Sequence, residues 1–397
     1  MGASAAGLSV AETLRRSGFV GPVTLVGDED ELPYDRPPLS KEFLSGMWSE
    51  EKLALRSAAT LGDLGLDLRL GARAESVDLA DKIVGLADGS RVGYDDLVIA
   101  TGVRARTLPG SEEVAGVHSL RTVADARSLR AALTPGARLV IVGAGFLGAE
   151  IASVANRAGV DVTLLSDIEA PLSDVLGPDL GALLIGVHRS HGVTIRTGVS
   201  ARGIETEAGR VSAVQLSDGT SVPADVVLVS IGSIPNTEWL ADSGIPVGNG
   251  VLCDEYCRAA LHVWAAGDVA SWLHVGRGER LRIEHRTNAA EQGMAVARNI
   301  MASENLTPFV PVPYIWSDQY DLKIQIYGVP RGADSFTVTD GSLDDRKLVG
   351  IYGKDGRVCA AVGINMIRPL RAARALVAAQ AELNSPTGQI TEQRVTA

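Results

Sequence analysis

The sequence is poor in aromatic residues, cysteines and long apolar runs, although 46% of its 397 residues are hydrophobic. A chain of this length with three cysteines is neither a small disulfide scaffold nor a disordered protein. The longest uncharged stretch, Asn305 to Ser317, contains three prolines, whereas a membrane-spanning helix needs about 20 apolar residues. No basic segment followed by an apolar one begins the sequence, so no signal peptide is predicted. These absences favour a cytoplasmic protein.

The sequence also has fewer basic than acidic residues. It contains 48 acidic and 37 basic residues, which gives a net charge of −11. Proteins that bind nucleic acid in general are usually basic, so this class is disfavoured. The 44 glycines have no Gly-X-Y period, which excludes collagen. At ~150 residues per domain, the length indicates two or three domains.

A glycine-rich segment occurs twice. Gly2–Gly7 reads Gly-Ala-Ser-Ala-Ala-Gly, and Gly143–Gly148 reads Gly-Ala-Gly-Phe-Leu-Gly. In each copy a helical pattern follows and ends at a glycine sixteen residues after the first one. An apolar strand comes next, at Val23–Val26 or Val162–Leu165.

This order of turn, helix and strand is typical of a dinucleotide-binding site. The first glycine makes the tight turn, the second position lets the backbone approach a pyrophosphate, and the third lets the helix pack on the sheet. The second copy also follows an apolar strand, Arg138–Val142, as the motif requires. Two copies predict two nucleotide sites. The alternative is a pair of glycine turns that bind no ligand.

The first copy begins at Met1 and Gly2, so the strand expected before its turn is missing. That strand is central in a doubly wound sheet, and its loss would expose pairing edges. The alternatives are a displaced start, a shortened chain, or a domain that folds without the strand.

Several later segments read as strands. Three of them end in a glycine turn: Asp96–Gly102, Ala224–Gly232 and Val263–Asp268. After Pro313 short alternating strands are predicted at Lys323–Tyr327, Lys347–Tyr352 and Val358–Val362, with a helix from Pro369 to about Leu383 and then a polar tail. We expect this part to form a small α+β domain.

Six motifs together resemble the FAD-dependent ferredoxin reductases of bacterial oxygenase systems, over essentially the whole chain. They are Pro33–Lys41, Ala100–Gly102, Leu120–Thr122, the second glycine segment with Glu150, Ala265–Asp268, and Trp316–Gln319. The resemblance implies an α/β fold of the glutathione-reductase-like flavoprotein type, with two Rossmann-like dinucleotide-binding domains and a small α+β C-terminal domain. The implied segments are 1–105 and 233–310 for FAD, 106–232 for NAD, and 311–397 for the C-terminal domain.

The resemblance also implies the cofactors FAD and NAD and the residues that bind them. The implied FAD contacts are Gly2, Ser4, Ala6, Gly7, Asp28, Arg36, Ala74, Arg121, Asp268 and the Arg286 backbone, and the implied NAD contacts are Gly143, Gly145, Gly148, Asp167 and Gly232. Lys41, Glu150 and Trp316 are the implied catalytic residues: Lys41 contacts the flavin, Glu150 pairs with Lys41 and binds the nicotinamide amide, and Trp316 places the nicotinamide ring.

Each catalytic candidate has a structural alternative. Lys41 is also consistent with a solvated lysine, Glu150 with a favourable helix-dipole contact, and Trp316 with core packing. For Arg36 the alternative is a salt bridge in its loop, and for Asp268 it is a helix N-cap.

The positions of the cysteines argue against a related class of flavoproteins, the disulfide reductases. Cys253 and Cys257 are expected to be buried thiols rather than a redox pair, and residues 1–252 contain no cysteine. That absence excludes disulfide reductases, which carry a cysteine near the first flavin helix. The six histidines have no metal-ligand spacing, so no metal site is predicted.

The residues after the second NAD strand favour NADH over NADPH. Ser166 stands where an acidic residue usually binds the ribose, but Asp167 and Glu169 follow it, and no basic residue comes before Arg189. An NADP site would need positive charge here.

The predicted activity is electron transfer from NADH through FAD to a 2Fe–2S ferredoxin, which serves a haem monooxygenase or a Rieske dioxygenase. An arginine row, Arg368, Arg371 and Arg374, suits an acidic ferredoxin, although an ordinary solvated row has the same pattern. The alternatives are a rubredoxin or broad-acceptor reductase, a flavin-binding interaction protein, and an apoprotein without stable FAD. We expect a monomer or weak homodimer.

Overall fold

The elements of the fold follow the predicted order of glycine turns, helices and apolar strands. A computed structural model describes residues 1–383. Its α-helices in chain order are α1 Ala5–Arg16, α2 Ala58–Asp63, α3 Val123–Ala132, α4 Phe146–Arg157, α5 Ser173–Leu176, α6 Pro178–Ser190, α7 Arg286–Ala302 and α8 Ile367–Ala379. No helix within this range combines the length and the apolar character needed to cross a membrane.

The β-strands are mostly short. In chain order they are β1 Thr24–Val26, β2 Asp67–Arg69, β3 Ala74–Asp78, β4 Ile83–Leu86, β5 Arg91–Gly93, β6 Leu97–Ile99, β7 Val103–Ala105, β8 Val117–His118, β9 Arg138–Val142, β10 Asp161–Leu165, β11 Thr194–Arg196, β12 Ala201–Glu207, β13 Arg210–Leu216, β14 Ser221–Pro223, β15 Val226–Val229, β16 Ser233–Pro235, β17 Val247–Gly248, β18 Gly250–Cys253, β19 Arg258–Ala260, β20 Val263–Ala265, β21 Ala270–His274, β22 Glu279–Leu281, β23 Tyr314–Gln319, β24 Leu322–Gly328, β25 Ser335–Ser342, β26 Lys347–Lys354 and β27 Arg357–Ile364.

The chain divides into two units. Unit 1 comprises residues 1–36, 49–104 and 233–311, and unit 2 comprises residues 37–48, 105–232 and 312–397. Each unit is therefore built from three separate stretches of the chain. The predicted domain boundaries stay a prediction.

Met1 and Gly2 in unit 1 lie between two strand segments. The Met1 amino group donates to Val98 O at 2.8 Å, and the Ala100 N–H donates to Met1 O at 2.7 Å. On the other side, the Gly2 N–H donates to Val26 O at 2.7 Å. Two residues thus hydrogen-bond to both the end of β1 and the segment of β6.

The rest of unit 1 consists of small sheets and two packed helices. β6 pairs in parallel with β20, β3–β4–β5 form an antiparallel meander, and β17, β18, β21 and β22 form a further sheet. Helix α7 approaches α1 closely, because a Cβ at Gly293 would lie 2.5 Å from Ala6 O. The fully buried Trp272 belongs to the hydrophobic core of this unit.

Unit 2 contains the predicted doubly wound sheet, in the order β11–β10–β9–β15–β8, with parallel pairs throughout. The central strand β9 has the bounds expected from the sequence, and Leu139, Val140 and Ile141 are almost fully buried in it. Burial on both faces is the reason why the strand reads as a continuous apolar run.

The end of the described chain forms an antiparallel sheet, in the order β23–β24–β27–β26–β25, on which α8 packs. The predicted α+β character is confirmed, but β23 and β25 are two strands that the sequence pattern missed. Helix α8 begins two residues earlier than expected, and it ends at Ala379 because Gln380 adopts a left-handed conformation with φ 45°. The polar tail expected after Leu383 lies outside the described residues.

The glycine turn of unit 2 depends on a close backbone approach. A Cβ at Gly148, in the first turns of α4, would lie 2.2 Å from Gly143 O. Helix α4 can therefore begin directly after β9 only if this position has no side chain.

We expect Gly148→Ala to lower the free energy of unfolding by about 2 kcal/mol, because the new methyl group would overlap a carbonyl oxygen. Gly186→Ala is the matched control. Gly186 is exposed within α6 with no atom near its Cβ position, so alanine there should stabilise the protein by about 0.5–1 kcal/mol. Urea unfolding followed by circular dichroism measures both. Equal effects at the two positions would contradict this account.

Candidate functional site

The turn between β9 and α4 leaves space and free backbone amides. Gly143 has φ +106°, and its Cβ position is only 2.2 Å from Ser230 O. At Gly145, by contrast, a Cβ would meet nothing within 4 Å. Gly145 is the N-cap of α4 and has no side chain to bond the first-turn N–H groups. Open space in front of uncapped amides suits a phosphate group.

The corresponding turn in unit 1 is equally tight. A Cβ would lie 2.0 Å from Ala100 O at Gly2, and 2.0 Å from Gly2 O at Gly7. Ser4 is the N-cap of α1, and its side chain makes no capping hydrogen bond, so the first-turn amides, with that of the buried Ala6, have no side-chain acceptor. The two turns are thus built on the same principle, with Ser4 in the place of Gly145.

Two of the predicted acidic contacts lie beside the turn in unit 1. Gly27, at the end of β1, lies against Ala3, and the exposed Asp28 follows it. Gly267, which precedes Asp268, has its Cβ position 3.0 Å from the Ala6 methyl group. The residues before Asp28 and Asp268 therefore both lie against the start of the chain at Ala3–Ala6.

Arg36 belongs to a charged cluster in unit 1. Its guanidinium lies 2.5 Å from Glu29 Oε1 and donates to Tyr34 Oη at 2.6 Å, and Tyr34 donates to Glu29. Burial opposes the charge on Arg36, but Tyr34 and Glu29, together with Asp268, raise the pKa of Arg36 above its ordinary value. Arg36 therefore forms the loop salt bridge and also lies within electrostatic reach of Asp268.

Arg286 is the first residue of α7, and its side chain turns to a partner in unit 1. Its Nε atom lies 2.5 Å from Asp35 Oδ1. The backbone at the helix N-terminus has no side-chain cap, because His285 makes no capping hydrogen bond. The predicted backbone contact is thus compatible with this ion pair.

Glu150 and Lys41 form a buried ion pair in unit 2. Lys41 Nζ lies 2.6 Å from Glu150 Oε2, and the two side chains are 12% and 6% exposed. Lys41 also donates to Ser40 Oγ and to Pro37 O, both at 3.3 Å. All three ammonium hydrogens therefore have acceptors, and the alternative of a solvated lysine is wrong.

The Glu150 carboxylate has two further partners that sequence reasoning missed. Ser40 donates to Oε2 at 2.6 Å, and Ser317 donates to Oε1 at 2.7 Å. Both serines lie inside the motifs that carried the resemblance, next to Lys41 and to Trp316. Their position beside a candidate residue was the only signal for them in the sequence.

The remaining candidates are distributed over both units. In unit 2, Asp167 is exposed and follows the buried Ser166. Gly232 has φ +96°, with open space at its Cβ position. The ring of Trp316 stacks on that of Tyr314, and the two ring centroids are 5.9 Å apart. Arg121 precedes α3, where its N–H donates to the Asp125 carboxylate. Ala74 begins β3 in unit 1.

The cysteines are not a redox pair. Cys253, Cys257 and Cys359 are all buried, and none of them forms a disulfide within residues 1–383. Burial raises the pKa of Cys253 to about 12, and it raises that of Cys257 well above its ordinary value. Both thiols are thus protonated at neutral pH, and the expectation that these two side chains are buried is confirmed.

Comparison with known proteins identifies the family to which this chain belongs. Residues 1–293 match the pyridine nucleotide-disulphide oxidoreductase family, and residues 314–389 match the reductase C-terminal family. Rhodocoxin reductase of Rhodococcus erythropolis is 36% identical over 96% of this chain and 90% of that protein. The ferredoxin–NAD(+) reductase component of the anthranilate 1,2-dioxygenase system of Burkholderia cepacia is 37% identical, over 96% of this chain and 94% of that protein.

A solved structure of similar shape is the covalent putidaredoxin reductase–putidaredoxin complex. It matches with a TM-score of 0.91 and 34% identity, over 96% of this chain and 92% of that one. The two uncapped glycine turns fit the FAD and NAD(P)H that such reductases bind. The chain therefore belongs to the pyridine nucleotide-disulphide oxidoreductase family and, within it, to the ferredoxin reductases.

Proposed function

We propose that this protein transfers electrons from NADH through FAD to a 2Fe–2S ferredoxin, which in turn serves a haem monooxygenase or a Rieske dioxygenase. The observation that carries the proposal is the glycine turn that occurs twice, each time before a helix whose first amides have no side-chain cap. Flavin, when bound, accepts a hydride and gives up single electrons, which joins a two-electron donor to a one-electron acceptor. We assign the reaction to the cytoplasm.

We assign one cofactor to each of the two glycine turns. Residues 1–105 and 233–310 bind FAD, residues 106–232 bind NADH, and residues 311–397 form the C-terminal domain. Gly2, Ser4, Ala6 and Gly7 hold the pyrophosphate of FAD, and Gly143, Gly145 and Gly148 hold that of NADH. The other proposed contacts to FAD are made by Asp28, Arg36, Ala74, Arg121, Asp268 and Arg286. The other proposed contacts to NADH are made by Asp167 and Gly232.

The buried carboxylate is assigned to nicotinamide binding. Glu150 lies on α4, one turn beyond the open position at Gly145. Its three hydrogen-bond donors keep it in one orientation, in which it accepts an N–H of the carboxamide. Lys41 balances its charge, and Lys41 and Trp316 are the other catalytic residues of the proposal.

The preference for NADH is supported by the charges after β10. Asp167 and Glu169 are acidic, and the nearby Arg196 is paired with Asp218 at 2.8 Å. A 2′-phosphate bound after β10 would therefore lie near negative charge. Arg196, on the neighbouring strand β11, is already paired and would not neutralise it.

An anaerobic titration tests the function directly. We expect the flavin absorbance of the purified protein to bleach at about one NADH per flavin, since one hydride carries two electrons. NADPH should act at least about tenfold less efficiently in kcat/KM because its 2′-phosphate lacks a cationic partner. Added 2Fe–2S ferredoxin should then restore the oxidised spectrum. A colourless protein that takes up no FAD would overturn the proposal.

The Lys41–Glu150 pair is tested by a double-mutant cycle. Lys41→Met leaves the carboxylate buried without its counter-charge, so we expect a loss of about 3 kcal/mol in unfolding free energy and slower flavin reduction by NADH. In Lys41→Met/Glu150→Gln the charge is gone, so stability should return in part while reduction stays slow. Urea unfolding and stopped-flow absorbance measure the two effects. Glu150→Gln completes the cycle, and a double-variant effect on stability equal to the sum of the two single-variant effects would exclude coupling between the residues.

The ferredoxin surface is proposed to include the exposed face of α8. Leu370, Ala373 and Val377 are buried on one face, whereas Arg368, Arg371 and Arg374 are exposed. The spacing of three residues puts these arginines on one side of the helix. This row can therefore meet an acidic protein without breaking the contacts of the core.

Replacing Arg368, Arg371 and Arg374 by alanine should raise the KM for an acidic ferredoxin about fivefold and weaken its salt dependence, because complementary charges steer association. The matched control changes three exposed arginines elsewhere in unit 2, Arg189, Arg202 and Arg210, to alanine. Steady-state kinetics over a range of ionic strength compares the two. The docking surface is disproved if both triple variants behave alike.

A further inference from the structure

The Trp316–Gln319 motif has a second face, of which the proposed function has used only Ser317, as a donor to Glu150. In β23 side chains alternate, and Ser317 and Gln319 are both at most 1% exposed, whereas Trp316 and Asp318 are half-buried. A strand that buries a serine and a glutamine must satisfy their polar atoms within the protein. Ser317 does so with α4, and Gln319 does so with Ser317 and with α6.

The polar atoms form one continuous chain of hydrogen bonds. His188 Nε2 lies 3.0 Å from Gln319 Oε1, Gln319 Nε2 lies 3.2 Å from Ser317 Oγ, and Ser317 Oγ lies 2.7 Å from Glu150 Oε1. The chain thus runs from helix α6 through β23 to the carboxylate on α4. All of its residues belong to unit 2.

The charge on Glu150 determines the direction of every bond. A carboxylate only accepts, so the Ser317 hydroxyl must donate to it, and the Ser317 oxygen then accepts from the Gln319 amide. The Gln319 carbonyl is left to accept from His188. Hydrogen bonds that all point the same way strengthen one another in a buried environment.

His188 ends the chain as a neutral donor. Burial lowers the pKa of His188, and the hydrogen bond to Gln319 opposes this only in part. Its other ring nitrogen, Nδ1, is buried with no hydrogen-bond partner among residues 1–383. A proton on Nδ1 would have no acceptor, so the ring carries its single hydrogen on Nε2.

The carboxylate is left with one acceptor position. Oε2 already accepts from Ser40 and Lys41, and Oε1 accepts from Ser317. A carboxylate has about four lone-pair positions, two on each oxygen. The position that remains is therefore on Oε1, the oxygen that Ser317 holds.

We propose that Ser317, Gln319 and His188 are positioning residues that hold Glu150 with its remaining Oε1 position directed to an amide N–H of the nicotinamide carboxamide. This inference rests on the proposed function, because it names which oxygen of Glu150 takes the dinucleotide. Strand β23 would then contribute to nicotinamide recognition in two ways. Trp316 places the nicotinamide ring, and Ser317 orients the carboxylate that binds the carboxamide.

The test compares two buried serines on the contact between α4 and β23. Ser317→Ala removes the donor to Glu150. Ser153→Ala is the control, because Ser153 lies on α4 and its hydroxyl oxygen accepts from the Tyr320 N–H at 3.0 Å, whereas the hydroxyl of Ser317 donates to Glu150. Binding of NAD⁺ and of ADP-ribose, which lacks the nicotinamide, is measured by calorimetry on the FAD-loaded protein.

We expect Ser317→Ala to weaken NAD⁺ binding about tenfold while ADP-ribose stays within about twofold of the unmodified protein, since only the nicotinamide end meets Glu150. Ser153→Ala should leave both affinities within about twofold, and Ser317→Thr, which retains the hydroxyl, should bind NAD⁺ more tightly than Ser317→Ala. A second readout is the ¹⁵N NMR spectrum of the His188 ring. It should show the Nε2–H form in the unmodified protein and a mixture of forms in Gln319→Leu.

Three outcomes would overturn the inference: unchanged NAD⁺ affinity in Ser317→Ala, an equal loss for NAD⁺ and ADP-ribose, or equal losses in the two serine variants. If the unmodified protein binds neither nucleotide, the proposed function itself fails. The two failures are therefore distinguishable.

Discussion

The buried carboxylate of Glu150 is the constraint on which unit 2 depends. A charge in a protein interior is costly unless it is paired and hydrogen-bonded. Here the ammonium of Lys41 and the hydroxyls of Ser40 and Ser317 satisfy it together. Those donors come from the segment 37–48 and from β23, so one carboxylate ties together three stretches of the chain that are far apart in sequence.

The two glycine turns apply one physical principle twice. In each unit a helix begins so close to the preceding backbone that a side chain at the third glycine would collide with a carbonyl oxygen. The first-turn amides have no side-chain cap in either copy. The copies differ at the second position, where Ser4 replaces glycine, and in their neighbours. In unit 1 the glycines before Asp28 and Asp268 lie against the start of the chain, whereas in unit 2 the buried Glu150 follows further along the helix.

Two arginines of unit 1 have acidic partners within the same unit. Arg36 pairs with Glu29 and donates to Tyr34, and Arg286 pairs with Asp35. The cysteines of this unit are buried, and burial raises the pKa of both thiols. Cys253 donates to Val251 O, and Cys257 accepts from Gln292 Nε2.

The sequence by itself determined the elements whose causes are local. Glycine turns, capped or uncapped helix starts and apolar strands such as β9 each depend on a few neighbouring residues, and their bounds agree closely with the structure. Strand β23 was missed because its inward residues are Ser317 and Gln319, which break the apolar alternation that marks a strand. Strand β25 was missed because it lies at the edge of its sheet, where little of it is buried.

Only the tertiary structure decided which side chains meet. Glu150 lies 110 residues from Ser40 and 167 from Ser317 along the chain, and no local pattern specifies such pairs. His188 reads as one polar residue in an amphipathic helix, yet it lies at the end of the hydrogen-bond chain that leads to Glu150. The physical reason is that a polar group acquires its role from the partners that burial forces on it, and the fold chooses those partners.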